Sequence, residues 1–168
     1  MGTAPPETSN GLAQGLTKVY FIRHAKAGDR EEWTRPDHLR PLTKPGLEQA
    51  EALVPQLAGE GVVRIFSSYY LRCVQTVEPL ARERELEVEH HESLVEGVEP
   101  ARALDLVVGA GRPIALCTHG DVMWGVIEGL RADGVEGADP RLGKKGSTWV
   151  LTVDGGRVMR AVYLEPPT

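Results

Sequence analysis

Three short stretches hold the residue types that could do chemistry. Arg23-His24 ends the apolar run Val19-Tyr20-Phe21-Ile22. Ser67-Ser68 follows the apolar run 62–66, with Arg72 one helical turn further on. Thr118-His119-Gly120 ends the run 113–117. Brought together, two arginines and two imidazoles describe an anion site, because the planar guanidinium fork suits phosphoryl oxygens better than an ammonium does. A neutral imidazole is also a competent nucleophile at phosphorus, forming a covalent intermediate that divides one hard displacement into two easier ones. The second imidazole and the arginines would stabilise charge on the equatorial oxygens. This chemistry needs no metal and no cofactor. Each stretch alone is a weak signal, since Arg-His can simply mark where a strand surfaces.

These groups need elements that aim them at one place. The order strand, helix, strand, helix, then helix, strand, helix predicts an α/β sheet with parallel core strands and right-handed crossovers, and in such sheets ligands bind beyond the carboxyl ends of the strands. The first strand is expected at 17–23. A helix capped by Thr43 should carry Leu47, Ala50, Val54 and Leu57 inward as far as Gly59 and Gly61, kinked at Pro55. A second helix, 69–84, is capped by Ser67-Ser68 and weakened at Pro79. An edge strand is expected at 86–90, helices at 100–108 and 121–131, and a closing hairpin with strands 147–153 and 157–164 around Asp154-Gly155-Gly156. The connection 25–42 shows no periodicity, and its Trp33 could close over a substrate or pin the loop to the surface.

The whole chain has 168 residues, 41% hydrophobic and 26% charged, with a net charge of −5. This is ordinary globular usage for one domain, expected at 17–168 behind a mobile tail, 1–16. The acidic balance argues against a general nucleic-acid binder, which would need a basic face, and leaves room for a small basic pocket. No stretch is long enough for a membrane span, and residues 1–16 lack the pattern of a signal peptide. Cys73 and Cys117 read as small buried hydrophobes, so a cytoplasmic protein is expected. His38, His90 and His91 read as surface residues; the last two would point to opposite faces of a strand, which makes them poor joint metal ligands.

Arg23-His24-Ala25, then Ser67-Ser68-Tyr69-Tyr70-Leu71-Arg72-Cys73-Val74-Gln75-Thr76, then Thr118-His119-Gly120 resemble, in this order, the motifs of the histidine phosphatase superfamily. Asp37-His38-Leu39-Arg40-Pro41-Leu42-Thr43, with Gly46 and Gln49-Ala50, is similar to the small SixA-like branch of phosphohistidine phosphatases. The stretch from Arg72 to Ala81 also resembles the phosphatase half of actinobacterial MutT-type Nudix fusions. The resemblance implies a phosphoglycerate mutase-like three-layer sandwich, a mostly parallel central sheet with helices on both faces. It further implies His24 as the phosphorylated nucleophile, with Arg23, Arg72 and His119 completing the phosphate pocket. Leu94-Val95-Glu96-Gly97 matches the pattern that carries a catalytic glutamate in the mutase-like branch. This nominates Glu96 as the leaving-group acid, with Glu92 as its rival.

Where many relatives have a glutamate soon after the nucleophile, this chain has Lys26 and then Asp29. Lys26 could attract a second phosphate or reach into solvent, and Lys144 and Lys145 are candidates for the pocket rim. The expected activity is a metal-independent phosphatase acting on a phosphorylated small molecule or on a phosphohistidine protein. A non-turnover phosphate-binding module using the same pocket is the alternative. A phosphomutase is a weaker one, because the long insertions of mutases are missing.

Overall fold

The computed structural model describes residues 15–168. The strands are β1 (Leu16–Arg23), β2 (Arg64–Ser67), β3 (Val88–His90), β4 (Ile114–Thr118), β5 (Thr148–Asp154) and β6 (Arg157–Leu164). The helices are α1 (Lys44–Gln56), α2 (Leu71–Arg84), α3 (Pro100–Val108) and α4 (Gly120–Ala132). One sheet runs in the order β3-β2-β4-β1-β5-β6. The first four strands are mutually parallel, β5 is antiparallel to β1, and β6 pairs antiparallel with β5.

Alternation along the central strands builds the layers. Val19 and Phe21 of β1, with Ile114 and Leu116 of β4, face α3 and α4 through Ala103, Val107, Val122, Val126 and Ile127. Tyr20 and Ile22, with Ala115 and Cys117, face α1 and α2 through Leu53, Leu57, Val77 and Leu80. The result is the expected α/β sandwich, a mostly parallel sheet covered by helices on both faces.

Several boundaries differ from expectation for local reasons. β1 opens at Leu16, which was expected in the tail; residues 1–14 of that tail lie outside the described residues. Pro55 sits in the last turn of α1, so it closes the helix rather than bending it. α2 begins at Leu71 with Tyr70 as its N-cap and no side-chain capping bond, so the expected cap by Ser67-Ser68 does not form, and the helix runs through Pro79 unbroken. β3 covers only Val88–His90. His91 lies beyond it and caps a 3-10 turn, its Nδ1 accepting from the Ser93 amide at 3.1 Å, so the two histidines do not share a strand.

The connection after β1 is folded back on itself. Ala27 bridges to Leu42, the Gly28 amide donates to Pro41 O, and the Thr43 amide donates to Lys26 O at 3.0 Å. Gly46, at the start of α1, lies against the Lys26 backbone so closely that a β-carbon there would collide with the Lys26 carbonyl. We predict that Gly46→Ala destabilises the fold by about 1 to 3 kcal/mol in denaturant unfolding, since backbone cannot rotate aside as a side chain can.

Candidate active site

Backbone pairing brings the chemical residues to one end of the sheet. Arg23 pairs with Thr118 across β1 and β4, and Ser67 pairs with Cys117 across β2 and β4. The pairing continues past the strand ends, where the His24 amide donates to Thr118 O and the Ser68 amide to Cys117 O, both at 3.0 Å. His24, Arg72 and His119 are all buried there.

His24 is held by a hydrogen bond of 2.8 Å between its Nδ1 and Ala25 O. A carbonyl only accepts, so Nδ1 carries the proton and Nε2 keeps its lone pair. Burial, above all, pushes its pKa down to about 3, and the charges of His119, Arg72 and Arg23 act in the same direction against the opposing Ala25 bond. The ring is therefore neutral at physiological pH. The His119 ring stands edge-on to it, with centroids 5.5 Å apart.

His119 is fixed from behind. Its Nε2 lies 2.9 Å from Ser68 Oγ and 3.5 Å from Cys73 Sγ, two groups that can each donate to a ring nitrogen left unprotonated. Nδ1 then carries a proton, 3.4 Å from Glu96 Oε1 but without a hydrogen bond.

Arg72 is fully buried. Its Nη1 donates to Asp37 O and its Nη2 to Asp37 Oδ2, each at 3.0 Å, and Nη2 also donates to Glu96 Oε1 at 2.7 Å. Arg23 donates through Nη1 to Gly143 O at 2.7 Å. A β-carbon on Gly120 would lie 2.7 Å from Arg23 Cζ, so this glycine makes room for the guanidinium at the start of α4. Arg23 Nε, Arg72 Nε and His119 Nδ1 are buried donors without a hydrogen-bond partner. Three such groups in one place would cost a few kcal/mol unless an acceptor binds there.

Glu96 touches Arg72, Arg30 at 3.3 Å and, more loosely, His119. Burial would raise its carboxyl, but the hydrogen bond and charge of Arg30, with the charges of His119 and Arg72, outweigh that and hold it below its ordinary value. Its loop is tied down where the Gly97 amide donates to Asp121 Oδ2 and Thr118 Oγ1 donates to Leu94 O. Glu92 is exposed and faces Arg102 at 3.7 Å, away from the cleft.

Beside these groups is a cleft of 910 Å3, lined by Arg23, His24, Arg40, Glu96 and His119, by residues 27–30 and 140–145, and by Gly120, Asp121, Met123 and Trp124. Lys144 and Lys145 line it, whereas the Lys26 side chain is exposed and does not. Trp33 is also absent from the lining, and its indole donates to Pro36 O at 2.9 Å, which pins the loop. Cys73 and Cys117 are free and buried. Among the described residues no group of three or more His, Cys, Asp or Glu could hold a metal ion, and no helix is long and apolar enough to cross a membrane.

Asp37, Arg40 and Ser68 stand in the quoted motifs, but the sequence assigned them no supporting role. Arg40 is buried, donating to Asp37 Oδ1 and to Gly28 O, so Asp37 ties the loop and Arg72 together. The spacing of Asp37 and Arg40, one 3-10 turn apart, was the available signal.

Comparison with known proteins agrees with this geometry. A profile of the histidine phosphatase superfamily (branch 1) matches residues 19–98. An 8-oxo-(d)GTP phosphatase of Mycolicibacterium smegmatis is 36% identical over 156 residues, which are 89% of this chain and 48% of that protein. The chain thus spans about half the length of that relative. Among solved structures, the SixA protein of Agrobacterium tumefaciens superposes with a TM-score of 0.71 at 26% identity, covering 89% of this chain and 99% of that one. A mycobacterial glucosyl-3-phosphoglycerate phosphatase gives 0.64 at 18% identity over 91% and 100%, a likeness of fold. In its profile match over residues 19–98 and its likeness to SixA, the chain is similar to the histidine phosphatase superfamily.

Two outcomes follow from the geometry. Asp37→Asn removes a charged partner of Arg72 and lowers kcat/KM on a phosphate ester by about tenfold, while circular dichroism stays native. His24 is also a pH probe of stability. Its folded pKa of about 3 lies below the unfolded value of 6.5, so between these limits the unfolded chain binds the extra proton and acid destabilises the fold. Relative to His24→Asn, the wild type should therefore lose stability as pH falls from 6.5, by up to about 1.4 kcal/mol per pH unit in unfolding titrations.

Proposed function

We propose that this protein hydrolyses the phosphate group of a small molecule by double displacement through a phosphohistidine on Nε2 of His24, without a metal ion. The observation that carries this reading is the meeting of a neutral imidazole, its Nε2 lone pair free, with three buried and unpartnered donors from Arg23, Arg72 and His119. In the first step Nε2 attacks phosphorus, an N–P bond forms, and the bond to the leaving oxygen breaks with its electron pair. In the second step water attacks, the N–P bond breaks, inorganic phosphate departs and neutral His24 returns. The guanidiniums and the His119 N–H stabilise charge on the equatorial oxygens, the role that a metal fills elsewhere.

Glu96 is the proton carrier in this scheme. Ionised in the free site, it accepts the proton of the attacking water. A phosphoryl dianion beside it, competing for Arg72, raises its carboxyl so that a proton is available for the leaving oxygen. Glu92 is too far from the cleft to do either. A cleft walled on two sides by 27–30 and 140–145 supports a small-molecule phosphate over a phosphohistidine on a folded protein, and the relative named for a nucleotide points the same way. The two buried free thiols fit a reducing cytoplasm.

Turnover of p-nitrophenyl phosphate tests the reading. It should persist in excess chelator and fall at least about a thousandfold in His24→Ala, with the fold retained. Activity that needs an added divalent metal, or that survives loss of His24, would contradict it.

A further inference from the structure

Beyond the phosphoryl pocket the cleft continues between residues 27–30, the first turns of α4 and the segment 140–145. Its lining holds six basic residues, Arg23, Arg30, Arg40, Arg141, Lys144 and Lys145, against the carboxylates of Asp29, Glu96 and Asp121. A bound phosphoryl group carries about two negative charges, so it leaves the cleft positive.

Lys145 is where that excess is concentrated. Arg30, Arg141 and Lys144 are paired with Glu96, Asp139 and Glu165, whereas the Lys145 ammonium has no ion-pair partner among the described residues. It faces the charges of Arg23, Arg40, Arg30 and Arg72. With partial burial as the larger cause, these pull its pKa below the ordinary lysine value. An ammonium held among guanidiniums is unfavourable until an anion meets it.

Part of the lining is apolar. Trp124 is 58% exposed on α4 and lines the cleft with Met123, Pro140 and Leu142. One exposed tryptophan on a surface would need no explanation. This one lies five residues beyond His119, about 7 Å along the helix axis, on the same cleft as the phosphoryl pocket. An exposed indole at that remove offers a face for a planar ring.

We propose that this part of the cleft is a leaving-group subsite for a nucleoside diphosphate, with the inner phosphate at Lys145, the base on Trp124 and the terminal phosphate at His24. The assignment rests on the phosphatase reading above. Nε2 of His24 would bond to the terminal phosphorus and the anhydride P–O bond would break, releasing a nucleoside monophosphate with the electron pair. Water would then cleave N–P to give inorganic phosphate. A phosphate anion leaves readily, so this substrate asks least of a Glu96 that rests ionised.

Three probes separate the parts: ADP, pyrophosphate, which has a second phosphate but no ring, and phenyl phosphate, which lacks a second phosphate. Wild-type protein should release AMP from ADP and prefer ADP to phenyl phosphate in kcat/KM. Lys145→Ala should lower ADP and pyrophosphate about tenfold relative to phenyl phosphate, and Trp124→Ala should lower ADP about tenfold relative to pyrophosphate. If His24-dependent turnover of phenyl phosphate is present but ADP is not preferred, or each variant lowers all three probes alike, the subsite is wrong and the phosphatase stands. If none of the three is turned over in a His24-dependent way, the phosphatase reading fails and the subsite falls with it.

Discussion

The pairing of β4 with β1 on one side and β2 on the other is the constraint on which the site depends. Parallel strands in register end at the same level, so Arg23-His24, Ser67-Ser68 and Thr118-His119 emerge together. The pairing does not stop at the strand ends, since the amides of His24 and Ser68 still donate to β4 carbonyls. A slip of one residue would turn every side chain to the opposite face of the sheet. It would also carry His24 away from His119. The two hydrophobic layers hold the register, because Val19 and Phe21 belong to one core and Tyr20 and Ile22 to the other.

Electrostatics then sets the chemistry. Arg23 and Arg72 make the pocket positive, and burial with those charges keeps His24 neutral, as the proposed nucleophile must be. Glu96 answers part of the positive charge in the free site through Arg72 and Arg30. In the proposed reaction a phosphoryl group competes for the same donors, which would link its binding to the protonation of Glu96. Asp37 holds Arg72 from the far side, which keeps the guanidinium aimed even when Glu96 lets go.

Much of this was legible in the residue order. Apolar runs with polar ends located β1, β2 and β4, and helical spacing located α3 at its observed bounds. Boundaries drifted locally, as at α2, which starts at Leu71 without a side-chain cap, and at His91, whose ring caps a turn. Arg23, His24, Glu96 and His119 line one cleft, with Arg72 bonded to Glu96, while Lys26 is exposed outside the lining and Lys145 is part of it. Asp37 opens a quoted motif, but its role was not legible because its partner Arg72 is 35 residues away, and no local pattern encodes such a contact. The same holds for Asp121, which fixes the Glu96 loop from α4 across 24 residues.

The claim at the centre of this account is that phosphate passes through His24. Rapid mixing with substrate, alkaline quenching to preserve phosphohistidine and mapping of the labelled peptide by mass spectrometry tests it most directly. The account predicts one transient phosphoryl group on Nε2 of His24, formed and lost at rates that match turnover. Turnover with no phosphorylated histidine, or with the label on another residue, would contradict it.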